Sequence, residues 1–142
     1  MSDDTHPLAT ARTKAIWLLK SGDKRGSNVQ EFTEGVDIFN TVLSDAGINF
    51  DHNIDGKLPM ACGGQNERSF SFSQSIYPGQ TYKAVINSDH GRYTYESETP
   101  VENNGVINHK NPIVKISKVD NIKGAFTEEQ VKKIVIDRIN RV

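Results

Sequence analysis

The chain has 142 residues, 35% hydrophobic and 25% charged, and its 17 basic and 18 acidic residues leave a net charge of −1. This length suits one domain spanning residues 1–142, and the hydrophobic content excludes a disordered chain. The single cysteine, Cys62, excludes an intramolecular disulfide and a thiolate-rich zinc site. No apolar run approaches the roughly 18 residues that a membrane span needs, and the N-terminus lacks the features of a secretory signal. We therefore expect a cytoplasmic protein with no membrane partner.

Two amphipathic helices are predicted in the N-terminal third. The first runs from about Pro7 to Ser21, with Leu8, Ala11, Ala15, Leu18 and Leu19 as its apolar stripe. The second begins near Ser27 and Gln30, or Asn28 and Glu31, which have the spacing of a capping box. Its apolar stripe consists of Phe32, Val36, Phe39, Leu43 and Ala46, and Gly47 ends it in the left-handed cap position.

The stripe of the second helix is expected to be buried against a sheet. Truncation of a buried phenylalanine costs about 3–5 kcal/mol, so Phe39→Ala should lower the free energy of unfolding by that amount. A loss below about 1 kcal/mol would instead mean that the stripe faces solvent or a partner. In that case the helix would itself be the interaction surface.

From about residue 69 the hydrophobic pattern changes from helical to alternating. Residues 69–76 place Phe70, Phe72 and Ile76 on one face and serines on the other, which is typical of a strand with one packed face. Further strands are predicted at residues 81–87, 92–99 and 113–119, and a hairpin loop at 88–91 joins the first two of these. These segments indicate a mostly antiparallel sheet of four or five strands.

The last element is a C-terminal helix. Thr127 and Gln130 have the spacing of a capping box, and Phe126 can pack onto Val131 as a hydrophobic staple. The apolar stripe then continues through Val131, Ile134, Val135, Ile139 and Val142. The predicted fold is therefore α+β, with two N-terminal helices, the sheet, and a C-terminal helix packed on one face of the sheet.

Charge is uneven along the chain although its sum is near zero. Residues 31–60 hold one basic and six acidic residues, whereas residues 1–30 hold five and three and residues 101–142 hold eight and five. If the two terminal segments adjoin in space, they form a basic face that can neutralise phosphates. The residues predicted to bind nucleic acid on this face are Lys24, Arg25, Lys132, Lys133 and Arg141.

No pattern of residues indicates a metal site or a cofactor. The four histidines are far apart in sequence, and the one with carboxylates close by, His52, lies in a predicted turn. The Gly63-Gly64 pair lacks the Lys-Ser/Thr pair of a phosphate loop. Cys62 enters this glycine loop and does not open a helix, which argues against a stabilised thiolate. We predict no cofactor and no metal, and expect catalysis only under one alternative.

That alternative is a small metal-independent ribonuclease-type toxin. Cleavage of RNA without a metal needs a base, an acid and a cation near one phosphate. The candidate catalytic residues are His90, Arg92, His109 and Lys110. The hypothesis requires His90 and His109 to converge in the folded protein, and we expect them to lie apart.

Three features of residues 32–97 occur together: Ala46-Gly47-Ile48 at a helix end, a turn at Ile54-x-Asp-Gly-Lys-Leu58, and paired strands ending in Gly91-Arg-Tyr-Thr-Tyr. In these features the segment resembles the N-terminal accessory segment of primases from satellite phages and conjugative plasmids. Pro59 and Met60 stand where that family has His-Arg. The catalytic carboxylates of the family lie in other domains, so the resemblance implies no catalytic residue here. It implies an accessory domain of a mobile element.

The predicted function is therefore a non-catalytic binding or accessory module of a phage or other mobile element. Its partner is nucleic acid or a protein that handles nucleic acid. A virion structural or assembly protein is a further alternative, and composition does not distinguish it from the binding module. The sequence gives no indication of the oligomeric state.

Overall fold

The computed structural model describes Leu8 and residues 17–19, 30–49, 56–65, 68–117 and 124–140. Contacts divide the chain into two compact units, one formed by residues 1–15 and 72–142 and the other by residues 16–71. Each unit has its own set of stabilising contacts. A single domain spanning residues 1–142 stays a prediction.

The described elements are two α-helices, a short 3₁₀ helix and four strands. In chain order they are α1 (Asp37–Asp45), the 3₁₀ helix (Met60–Cys62), β1 (Phe70–Ser75), β2 (Thr81–Ser88), β3 (Gly91–Pro100), β4 (Ile113–Ser117) and α2 (Glu128–Ile139). The strands form one sheet in the order β1-β2-β3-β4, and β3 is antiparallel to both of its neighbours. In the described part of the chain, no helix has the length and apolarity of a membrane span.

The expectation of two N-terminal helices is wrong. Leu8 lies in a turn and residues 17–19 are not helical, while the remainder of the predicted Pro7–Ser21 helix lies outside the described residues. The side chain of Leu18 is 88% exposed, so no packing supports the predicted stripe at this point. A short helix without tertiary packing is marginal in water. The fold is α+β, with one described helix before the sheet and one after it.

The predicted second helix is present as α1, but it begins at Asp37 and is shorter than predicted. Glu31 belongs to one of the two predicted capping boxes, but its carboxylate has other partners in the structure. It accepts hydrogen bonds from the backbone N–H groups of Met60, at 3.1 Å, and Ala61, at 3.4 Å. Residue 31 is therefore tied to the 3₁₀ helix, and no helix starts there.

The C-terminal end of α1 agrees with the sequence pattern. Gly47 has a φ of 68°, in the left-handed region that favours glycine. The N–H of Ile48 then reaches back to the carbonyl of Leu43 at 2.9 Å, which satisfies one of the last helical carbonyls.

Three buried tyrosines form the centre of the sheet unit. They are Tyr82 on β2 and Tyr93 and Tyr95 on β3, each at most 1% exposed. Every one of their hydroxyls has a hydrogen-bond partner: Gln74 Oε1 at 2.9 Å from Tyr82, the N–H of Phe126 at 2.9 Å from Tyr93, and His109 Nδ1 at 2.8 Å from Tyr95. These partners allow polar aromatic side chains to fill a core without leaving unsatisfied groups.

The C-terminal helix packs on this sheet, as predicted. Thr127 Oγ1 accepts from the N–H of Gln130, and the Gln130 side chain accepts from the N–H of Thr127, so the predicted capping box is present. Val131 and Val135 are fully buried, and α2 contacts β3 and β4. Two valines one helical turn apart thus fix which face of α2 lies on the sheet.

The stability of the sheet unit should depend on the titration of His109. Burial lowers the pKa of His109 below its ordinary value. The unfolded chain then binds this proton more readily, so the contribution to stability is complete above about pH 6.5 and is lost as the pH falls below that value. We expect the free energy of unfolding to fall as the pH is lowered below about 6.5, and to fall less in His109→Gln, which does not titrate there. Denaturant titrations at several pH values measure both, and parallel pH profiles would contradict the expectation.

Candidate functional site

Helix α1 buries a polar face. Its buried residues are Asp37, Asn40 and Thr41, each at most 4% exposed. Thr41 Oγ1 donates to the carbonyl of Asp37 at 2.8 Å, and Asn40 Nδ2 donates to the carbonyl of Gly56 at 2.5 Å. Polar groups that are removed from water need such partners, so this face is committed to the interior of its unit.

The carboxylate of Asp37 accepts four hydrogen bonds. Arg68 donates from Nε to Oδ2 at 2.9 Å and from Nη2 to Oδ1, which makes a bidentate pair. The backbone N–H groups of Lys57 and Glu34 each donate at 2.7 Å. Burial alone would raise the pKa of Asp37, but these hydrogen bonds, above all that of Arg68, lower it. The carboxylate is therefore ionised against a guanidinium that is itself buried.

Glu34 also faces the guanidinium of Arg68, and the backbone at Gly56 lies close to the start of α1. Glu34 Oε1 lies 3.5 Å from Arg68 Nη1, so two carboxylates face one buried cation. A Cβ at Gly56 would lie 2.3 Å from the carbonyl oxygen of Val36. Only glycine lets the chain approach the start of α1 this closely. The inner side of α1 is thus fixed by backbone, ion pair and side chain together.

The opposite side of α1 is apolar and exposed. Successive residues advance by about 100° around a helix, so Ile38, Phe39 and Val42 lie away from the three buried residues. Phe39 is 57% exposed, and Val36, Ile38 and Val42 are each close to half exposed. We call these four residues the outer face of α1. Contiguous exposed apolar side chains of this kind mark interaction sites.

The prediction that the stripe of the second helix is buried is wrong at Val36 and Phe39, which are exposed, whereas Phe32 and Leu43 are half-buried. An amphipathic helix usually turns its apolar side inward, and that rule underlay the prediction. Here the polar side carries Asp37, the bidentate partner of Arg68, and must be inside, because an unpaired buried guanidinium is strongly unfavourable. The large loss of stability expected for Phe39→Ala does not follow from an exposed side chain.

Sequence reasoning missed Asp37 and Arg68. Asp37, Asn40 and Thr41 recur at spacings of three and four, so they form a polar stripe as regular as the apolar one. That stripe was the available signal. Arg68 is 31 residues from Asp37, and no local spacing connects them.

The structure describes two of the five residues predicted to bind nucleic acid, Lys132 and Lys133, so the basic face stays a prediction. Lys24, Arg25 and Arg141 lie outside the described residues. Lys132 Nζ lies 2.8 Å from a carboxylate oxygen of Glu128 and 3.1 Å from one of Glu129. Lys133 is exposed on the same helix. Helix α2 therefore presents charges of both signs, which weakens its attraction for phosphates.

The residues of the ribonuclease alternative have different neighbours. His90 lies in the β2–β3 loop beside Gly124, where an added Cβ would lie 2.7 Å from its Nε2. His109 contacts Tyr95, which is four residues beyond Gly91, or about 13 Å of extended strand. Within the described residues, no contact joins the two imidazoles. A base and an acid that share one phosphate must both reach it, and the described contacts of His90 and His109 are to different residues.

The other two residues of that alternative do not complete a site. Arg92 Nη1 donates to Asn87 Oδ1 at 2.9 Å, and its Nη2 donates to the carbonyl of Leu8. Lys110 is exposed, and its backbone N–H donates to Asn108 Oδ1 at 2.9 Å. The guanidinium of Arg92 therefore donates hydrogen bonds to a backbone oxygen and a side-chain oxygen of its own unit.

Neither a group of metal-binding side chains nor similarity to a known protein indicates catalysis at these positions. Among the residues that the structure describes, no group of three or more His, Cys, Asp or Glu side chains could hold a metal ion. No family model, curated protein or solved structure matches the chain. The outer face of α1 and the ion pair behind it are therefore the features on which a functional proposal can rest.

Two substitutions in α1 test which side of the helix is buried, through their effects on the free energy of unfolding. Asp37→Asn preserves shape but removes the bidentate carboxylate from buried Arg68, which should cost about 3–5 kcal/mol.

Phe39→Ser exchanges residues of similar helix propensity at an exposed position and should cost less than about 1 kcal/mol. Urea unfolding followed by fluorescence of Trp17, the single tryptophan, reports on this unit. A loss of about 3 kcal/mol or more for Phe39→Ser would show that the outer face is buried.

Proposed function

We propose that this chain is a non-catalytic binding module that docks a partner protein through the outer face of α1. The observation that carries the proposal is the reversed orientation of this helix, with Asp37, Asn40 and Thr41 inside and apolar residues outside. The centres of protein interfaces are rich in apolar and aromatic residues. Phe39, the most exposed residue of the outer face, is the aromatic anchor.

The ion pair behind the helix supports this role. Rotation of α1 to hide its apolar side would break the four hydrogen bonds to the Asp37 carboxylate. It would also leave the guanidinium of Arg68 buried without that partner, which costs several kcal/mol. The outer face is thus held in one orientation, and preorganisation of this kind reduces the entropy lost on binding.

The observations favour a protein over nucleic acid as the partner. The outer face consists of four apolar side chains, so it holds no cation that could neutralise a phosphate. The resemblance of residues 32–97 to primase accessory segments narrows the proposal. The partner is then a protein that handles nucleic acid in the cytoplasm of a cell carrying a phage or plasmid.

Selection from a library of displayed helical peptides tests the proposal. Wild-type protein should enrich peptides that bind it at least about tenfold more tightly than they bind Phe39→Ser, because aromatic anchors dominate interface energies. Lys133→Ser changes an exposed residue of α2 and is the matched control, which should bind the same peptides as wild type does. Fluorescence anisotropy with synthetic copies of the enriched peptides gives the affinities.

Three results would contradict the proposal. Peptides that bind wild type and Phe39→Ser equally would exclude the outer face as the docking surface. Binding of labelled RNA or single-stranded DNA that weakens steeply with salt and with Lys133→Ser would support the nucleic-acid alternative. Self-association in sedimentation that Phe39→Ser abolishes would support an assembly protein, because the occupant would be a second copy.

A further inference from the structure

We propose that Asn104 is a site of spontaneous deamidation, a covalent modification that is independent of docking at α1. Asn104 is the single asparagine of the chain that a glycine follows. The pair lies in the turn that follows β3, and residues 102–106 are all exposed. Water is the only co-reactant that the chemistry needs, and it reaches an exposed turn freely.

The reaction is an intramolecular acyl transfer. The backbone nitrogen of Gly105 attacks Cγ of Asn104, and the new N–Cγ bond closes a five-membered imide ring as the Cγ–Nδ2 bond breaks. Nδ2 leaves as ammonia and takes the proton that the attacking nitrogen loses. Water then opens the ring at one of its two carbonyls. The product is an aspartate, or an isoaspartate in which the chain runs through Cβ and Cγ. Nucleophile and electrophile belong to adjacent residues, so their encounter costs little entropy.

Gly105 leaves the attacking nitrogen accessible. It has no side chain, and its φ of 85° lies in the left-handed region that favours glycine. In the described part of the chain, nothing lies within 4 Å of the point where a Cβ on Gly105 would stand. The N–H of Gly105 donates to the carbonyl of Glu102 at 2.9 Å, and this hydrogen bond opens before attack. Both residues are exposed, so water replaces the lost partner at little cost.

The side-chain amide of Asn104 is held at both of its ends. Oδ1 accepts from the backbone N–H of Val106 at 3.0 Å, and Nδ2 donates to Oε2 of Glu102 at 3.2 Å. Negative charge builds on Oδ1 as the nitrogen adds to Cγ, and the N–H of Val106 is a donor already placed to stabilise it. The Glu102 carboxylate lies beside the nitrogen that must gain a proton as it leaves, where a proton carrier assists.

Asn108 provides a matched comparison a few residues further along the chain. It is exposed, and its Oδ1 accepts from the N–H of Lys110 at 2.9 Å, the same hydrogen bond to the second residue along that Asn104 makes. The residue that follows it is His109, whose ring is hydrogen-bonded to the hydroxyl of Tyr95 at 2.8 Å. A side chain held in this way hinders approach of the amide to the His109 nitrogen. Asn108 should therefore react much more slowly than Asn104.

Peptide mapping by mass spectrometry measures conversion at each asparagine of the full chain, incubated at neutral pH and sampled over days. Asn104 should convert at least about tenfold faster than Asn108 in the same sample. Gly105→Ala should slow conversion of Asn104 at least about tenfold and leave Asn108 unchanged. Either product adds a negative charge, so converted protein should comigrate with Asn104→Asp on a native gel. Enzymatic methylation of isoaspartate identifies the second product.

A synthetic peptide of residues 100–112 gives the rates in the absence of the fold. Conversion of Asn104 in the protein within about tenfold of its rate in the peptide, or faster, would show that the turn leaves the reaction open. A slower rate in the protein, or conversion of Asn104 no faster than that of Asn108, would overturn the proposal. The comparison within wild type does not depend on how Gly105→Ala folds. None of these outcomes bears on the outer face of α1, so the proposed function is tested separately.

Discussion

The bidentate pair between Arg68 and Asp37 determines which side of α1 faces the interior. A guanidinium presents two N–H groups side by side, and a carboxylate accepts both at once, so the pair fixes orientation as well as distance. The backbone N–H groups of Lys57 and Glu34 complete the set of donors. The ion pair lies on the polar side of α1, opposite the apolar residues, and holds that side toward the interior of the unit. The apolar side is outside as a consequence, and the candidate site thus depends on an interaction that lies behind it.

The sheet unit buries polar groups in a different way. Its tyrosine hydroxyls are neutral, and each needs one hydrogen-bond partner and no counter-ion. Ser97 Oγ similarly accepts the N–H of Tyr82 at 2.9 Å where the register of β2 and β3 shifts. With neutral core groups, α2 can follow the ordinary rule and turn Val131 and Val135 inward. The contrast between the two helices therefore comes from the charge of the groups they cover.

Local signals predicted the elements of this fold better than they predicted its packing. The strands lie within one or two residues of the alternating segments, and the capping box of Thr127 and Gln130 marks α2, because both patterns are complete within a few residues. The inward side of α1 depends on Arg68, 31 residues from Asp37, which no periodicity reveals. The predicted first helix failed for a related reason, since a stripe such as Leu18 and Leu19 forms a helix only where something covers it.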